Sequence, residues 1–134
     1  MHILRLEHHF DAAHRLEFHK GLCKNLHGHR WDVKILIRNN KLDKDGLVVD
    51  FGDIKKIINE LDHSTILKDC NENRPLIECI KEMDLRLILL PFSPTAENIA
   101  KVIHSRIFHK YNVNTEVTVW ESSEASIEYY NSEI

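Results

Sequence analysis

Two stretches of the chain alternate, for the most part, between apolar and polar positions. From His2 to His14, Leu4, Leu6, His8, Phe10, Ala12 and His14 fall on one side, and Arg5, Glu7, His9 and Asp11 on the other. A period of two predicts a half-buried strand. Gly21 and Gly28 mark turns in the loop that follows, and alternation resumes at His27, with His29, Trp31, Val33, Ile35 and Ile37 on one face. Asn39–Gly46 is polar turn. The period then changes: Phe51, Ile54, Ile57, Ile58 and Leu61 predict an amphipathic helix, with Asp62-His63-Ser64 at its C-terminal end. Lys68–Arg74 reads as loop, Pro75–Met83 as a short helix and Leu85–Leu90 as a short strand. Ser93-Pro94-Thr95 has the form of a helix start, with Ser93 as cap and Pro94 in the first turn. Ala96, Ile99, Ala100, Ile103 and Ile107 form the stripe of the helix that runs to about Lys110. Val113, Thr115, Val117, Val119 and Glu121 share a face of a third strand, and Ala125, Ile127 and Tyr129 a face of a fourth. The order β-β-α-α-β-β predicts an α+β fold, with two helices on one face of a four-stranded antiparallel sheet. Neither a repeat nor a Pro/Gly-rich linker interrupts it, so residues 1–134 read as one domain.

Composition narrows the function classes. A net charge of -3 with interspersed signs argues against broad nucleic-acid binding. No apolar run approaches a membrane span, and the first residues lack the apolar stretch of a secretion signal. Cys23, Cys70 and Cys79 are irregularly spaced, which points to free thiols in a reducing cytoplasm. The unusual figure is ten histidines.

Three of these share a geometric relation. His27 and His29 project to the same, buried face of their strand, and His14 ends the apolar face of the preceding one. Antiparallel pairing around the Arg15–Leu26 loop brings the three imidazoles to one end of the sheet. Three neutral imidazoles with a free fourth position suit a catalytic zinc ion, whereas Cys23 as fourth ligand would close the site as a structural one. The other six histidines (His2, His8, His9, His19, His104 and His109) are read as surface or supporting residues, with His8 sharing the face of His14; the remaining one is His63. Taken singly, Cys23 also reads as an inert thiol, Asp62-His63 as a helix-end cap and Glu121 as a solvated turn residue. Arg15, Lys20, Lys24 and Arg30 read as solvated charges within reach of an anionic ligand.

Five elements together resemble the 6-pyruvoyl-tetrahydropterin synthase family: Phe10-Asp11-Ala12-Ala13-His14-Arg15-Leu16, Cys23-Lys24-Asn25-Leu26-His27-Gly28-His29, Leu61-Asp62-His63, Pro94-Thr95-Ala96-Glu97-Asn98 and Trp120-Glu121-Ser122. The resemblance implies the tunnelling fold, trimers stacked into a homo-hexamer, and sites between subunits. It implies His14, His27 and His29 as zinc ligands, Cys23, Asp62 and His63 as the proton-transfer set, and Glu121 as the contact that anchors the pterin. The three residues between Cys23 and His27 resemble the 6-carboxy-tetrahydropterin synthase branch, linked to 7-deazaguanine (queuosine or archaeosine) biosynthesis. The implied substrate is 7,8-dihydroneopterin triphosphate, a small molecule, with acetaldehyde, triphosphate and 6-carboxy-tetrahydropterin as products. The rival readings are the pyruvoyl synthase, which eliminates triphosphate without carbon–carbon cleavage, and a non-catalytic zinc- or pterin-binding module. Asn71–Arg86 matches no element of this motif set.

Overall fold

The computed structural model describes residues 1–131. Strands β1 (His2–His14) and β2 (His27–Asn39) form an antiparallel pair in full register, from His2 opposite Asn39 to His14 opposite His27. Helix α1 (Phe51–Asn59) leads to strand β3 (Ser64–Lys68), helix α2 (Arg74–Glu82) to strand β4 (Leu87–Leu90), and helix α3 (Ala96–Tyr111) to strands β5 (Asn114–Trp120) and β6 (Ser126–Tyr130). The sheet order is β4-β3-β1-β2-β5-β6. On the β2 side the pairings are antiparallel, while β3 joins β1, and β4 joins β3, in parallel.

The predicted four-stranded antiparallel sheet is thus extended by two parallel strands, one of them, β3, not anticipated. The physical reason lies in the core. Residues Ile66, Ile88 and Leu90 pack with the main core beneath α1 and α3, whereas Leu67, Leu87 and Leu89 pack with Ile77 and Ile80 of α2. Helices α1 and α3 therefore cover one face of the sheet as expected, and α2 covers the opposite face at the parallel end. Strands covered on both sides are apolar at successive positions, and the alternation that marks a half-exposed strand disappears.

The main core is built on the two long strands. Phe10 and Trp31 are both fully buried and their rings stack at 5.9 Å, and the Trp31 indole N–H donates to the Ala12 carbonyl at 3.3 Å. Local chemistry fixes the helix ends. The Asp50 carboxylate caps α1 by accepting from the Gly52 N–H at 2.7 Å. Helix α3 is capped by Thr95, which accepts from the Asn98 N–H at 3.2 Å; the predicted cap, Ser93, lies two residues earlier. Asn112 ends the same helix in the left-handed region at φ 50°, a conformation that asparagine tolerates better than most residues. His104 lies buried on α3, its ring edge-on to Tyr129, and burial lowers its pKa. It is a core residue, not a surface one.

Candidate metal centre

Strand register assembles the histidines. His14 and His27 are direct cross-strand partners at the last rung of the β1–β2 ladder. His29, two residues along the same face, sits opposite Ala12. The small Ala12 side chain leaves room for the His29 ring to lean toward His14, and the two ring centres are 5.2 Å apart. Glu121, one residue past the end of β5, closes the group. The His14, His27, His29 and Glu121 ligand atoms all lie within 4.8 Å of one another.

Two backbone carbonyls set the tautomers. His14 Nδ1–H donates to the Pro94 carbonyl at 2.8 Å, and His27 Nδ1–H donates to the Asn25 carbonyl at 2.7 Å. In the neutral rings, each Nε2 then carries only a lone pair. Those two lone-pair atoms face each other at 3.1 Å, and His29 Nε2 is buried without a hydrogen-bond partner. The Glu121 carboxylate Oε1 stands 3.2 Å from both His14 Nε2 and His29 Nε2. Four electron-pair donors converging in a partly buried corner need a positive charge among them, because each facing pair otherwise repels. A proton on His14 shared with Glu121 is one source, and a metal ion is the other.

Two of the four groups are shifted toward their metal-binding forms. Burial pushes the His29 pKa below its usual value, against the opposing pull of Glu121. The hydrogen bond with His14 is the main reason the Glu121 carboxyl is held below its usual range; the nearby ring charges act in the same direction. Neutral imidazoles and an ionised carboxylate are the forms that bind metal. The carbonyl acceptors behind His14 and His27 are the outer partners that ligating histidines normally have. The residues present therefore fit a metal ion. Among the described residues, no other set of three or more His, Cys, Asp or Glu side chains does so.

The remaining site residues lie outside this group. Cys23 is the middle residue of a single 3-10 turn, Leu22–Lys24, and is a half-buried free thiol. Its carbonyl accepts from the Leu16 N–H at 2.9 Å. Glu121, not Cys23, lies with the histidines, so a cysteine-closed structural site has no cysteine ligand in this group. Asp62 and His63 form a pair. The Asp62 Oδ2 accepts from His63 Nδ1 at 2.7 Å, and its Oδ1 accepts from the Asp11 N–H at 2.8 Å. The His63 N–H in turn donates to the Asp11 carbonyl at 2.7 Å. The Asp11 N–H is the chief reason the Asp62 carboxyl is held below its usual range. His63 sits at φ 56°, an uncommon conformation for a residue with a side chain, and its ring is 76% exposed. With Nδ1–H committed to Asp62, the basic Nε2 is free to face whatever lies beyond the surface.

One supporting residue was misread and two, Asn73 and Glu17, escaped the sequence reading. Arg15 is no solvated charge: its guanidinium is bonded to the Lys24 carbonyl and to buried Asn73. Glu17, whose side chain is only 8% exposed, pairs with the Ser93 hydroxyl beside Pro94, the residue whose carbonyl holds His14. Adjacency to His14 was the available signal for Arg15; nothing in the sequence marks Asn73.

Comparison with known proteins bears on what such a centre does. The family model described as 6-pyruvoyl tetrahydropterin synthase matches residues 3–132. A protein of Haemophilus influenzae named 6-carboxy-5,6,7,8-tetrahydropterin synthase is 32% identical over 130 residues, covering 90% of this chain and 92% of that protein. One of the same name from Rickettsia conorii is 44% identical over 112 residues, covering 78% and 79%. Among solved structures, the 6-pyruvoyl tetrahydropterin synthase of Plasmodium vivax superposes with a TM-score of 0.67 at 24% identity, covering 98% of this chain and 99% of that one. An uncharacterized protein from Wolinella succinogenes superposes with a TM-score of 0.72 at 18% identity, covering 98% and 100%. These two likenesses concern the fold.

Proposed function

The chain belongs to the 6-pyruvoyl tetrahydropterin synthase family, with its tunnelling fold, and on that premise we propose that it is a zinc-dependent 6-carboxy-5,6,7,8-tetrahydropterin synthase. The reaction proposed is 7,8-dihydroneopterin triphosphate plus water to 6-carboxy-tetrahydropterin, acetaldehyde and triphosphate, a step toward 7-deazaguanine nucleosides. The observation that carries the reading is the convergence of the His14, His27 and His29 Nε2 atoms with the Glu121 carboxylate in one partly buried corner. The printed names of the curated relatives and the short Cys23–His27 interval support the branch.

His14, His27 and His29 would hold the zinc ion. Three imidazole nitrogen donors favour zinc over magnesium or calcium. When bound, zinc supplies Lewis acidity to the side-chain oxygens of the substrate. Other tasks fall to the chain. Cys23, on the turn that precedes His27, takes the proton from the substrate side chain as a thiolate base. His63 carries protons at Nε2, and Asp62 holds its Nδ1–H and orients the ring. Glu121 is the substrate contact. Its position beside the histidines supports a contact at the end of the pterin next to the ion, made by a carboxylate that accepts two N–H or O–H donors.

The exposure of His63 supports the assembly reading. A catalytic ring 76% exposed in one chain finds its reaction partner across an interface. We therefore assign the Asp62–His63 pair of one subunit to the site of another, in a homo-hexamer of two trimers. No helix among the described residues is long and apolar enough to cross a membrane, and the three free cysteines support a cytoplasmic location.

The deciding experiment is incubation of the zinc-loaded protein with dihydroneopterin triphosphate. Acetaldehyde and 6-carboxy-tetrahydropterin are the expected products. A pyruvoyl product without acetaldehyde moves the chain to the pyruvoyl branch, and no turnover by a zinc-loaded protein removes the catalytic reading altogether.

A further inference from the structure

Arg15 follows the ligand His14 directly and leads into the loop that carries Cys23. Its Nε donates to the Lys24 carbonyl at 2.7 Å, and its Nη1 donates to the Asn73 Oδ1 at 2.7 Å. Asn73 is 0% exposed, and its Nδ2 donates to the Lys68 carbonyl at 3.0 Å. Both sides of that amide are therefore used, and the guanidinium has a fixed buried acceptor. One side chain thus ties together the end of β1, the Cys23 turn and, through Asn73, the end of β3 beside the start of α2.

We propose that Arg15, braced by Asn73, is a positioning residue that fixes the Cys23 turn relative to His14. The proposal rests on the reading of Cys23 as the catalytic base. The physical argument is one of degrees of freedom. The 3-10 turn is three residues long and contains no buried residue. It has no hydrophobic anchor of its own, and such a segment keeps its place only through hydrogen bonds to the scaffold. One of these runs from the Leu16 N–H to the Cys23 carbonyl at 2.9 Å. The Arg15–Lys24 bond is the other, and it alone leads to a buried acceptor on a different element. A base misplaced by about 1 Å costs as much as a hundredfold in rate. The planar fork of arginine reaches two separated acceptors in one geometry, which the single nitrogen of a lysine does not.

The test uses the zinc-loaded enzyme and the variants Arg15→Ala, Arg15→Lys and Asn73→Ser. Four quantities are read: kcat, KM for dihydroneopterin triphosphate, zinc per chain, and the pH profile of Cys23 alkylation by iodoacetamide, followed on the Cys23 peptide. Arg15→Ala is expected to lower kcat by about tenfold to a hundredfold. It should leave KM within about threefold and zinc content unchanged, and it should alter the alkylation profile. Arg15→Lys should recover little, and Asn73→Ser should fall between it and the native enzyme. A folded Arg15→Ala protein with native kcat and a native alkylation profile overturns the proposal. So does a raised KM with kcat intact, which makes Arg15 a triphosphate contact. Should Arg15→Ala fail to fold, Asn73→Ser decides by the same readings. Should the native enzyme not turn over this substrate, the catalytic reading fails, while the alkylation profile still decides whether Arg15 sets the turn.

Discussion

The histidine–glutamate cluster and the Asp62–His63 pair are both anchored to the last four residues of β1, yet they are built in opposite ways. The cluster turns into the core face: His14 is completely buried, and the His14 and His27 rings are each fixed by a backbone carbonyl. Its geometry follows from strand register, so one chain suffices to complete it. The pair hangs on the Asp11 backbone at a helix-to-strand turn, with a left-handed residue and an exposed ring. Among the described residues, no further His, Cys, Asp or Glu side chain joins the pair to make a group like the cluster. On the proposed reading, the difference teaches that folding alone makes the candidate metal site, while proton transfer waits for a neighbour.

The sharpest way to break this contrast is on the cluster side. His14→Ala should abolish metal binding, seen by elemental analysis, and lower turnover by about a thousandfold or more, the scale of losing a principal electrostatic stabiliser. Retention of one zinc per chain would show that the remaining donors suffice. The next effect is on the pair. His63→Ala should keep its zinc and lose about a hundredfold to ten-thousandfold in kcat, the range of general acid–base catalysis. Co-expression of His63→Ala chains with Cys23→Ala chains should restore part of the activity, because some mixed interfaces then carry an intact His63 opposite an intact Cys23. No recovery in verified mixed oligomers would place both residues in one subunit's site.

The same two regions differ in how well they could be read beforehand. The cluster was legible because β1 and β2 are half-exposed: alternation put His14, His27 and His29 on the buried face, and antiparallel pairing did the rest. The helices α1 and α3 were legible for the same reason, one wet side each. The pair's setting was not legible. Strand β3 begins at Ser64, directly after His63, and its Ile66 and Leu67 face two different cores. Without a polar face it has no period to detect, and its parallel partnership with β1 is a tertiary fact. The Glu121 carboxylate could be placed at the end of an apolar stripe but not beside His14, since that distance depends on how β5 ends against β2. Arg15 was misread because a charge in a loop is usually solvated, and only the fold shows Asn73 buried behind it.

The smallest effect separates the two regions by pH. Asp62 and Glu121 both have folded pKa values below their unfolded ones, but for different reasons: the Asp11 N–H is the main cause for Asp62, and the bond with His14 for Glu121. A carboxyl with a depressed folded pKa contributes stability that is fully present above its unfolded pKa, about 4. That stability is lost as pH falls through the depressed value. Asp62→Asn keeps an oxygen to accept from the Asp11 N–H, so neutral-pH stability should fall by less than about 1 kcal/mol. The acid limb of the stability curve should become shallower whether or not metal is bound. In metal-free Glu121→Gln that limb should also become shallower, because the bond between His14 and the carboxylate is lost. Urea titrations at stepped pH, with and without zinc, measure both. If Asp62→Asn left the acid limb unaltered, the carboxylate would not be bound to the β1 backbone in solution, and the contrast between a register-built cluster and a backbone-hung pair would lose its second half.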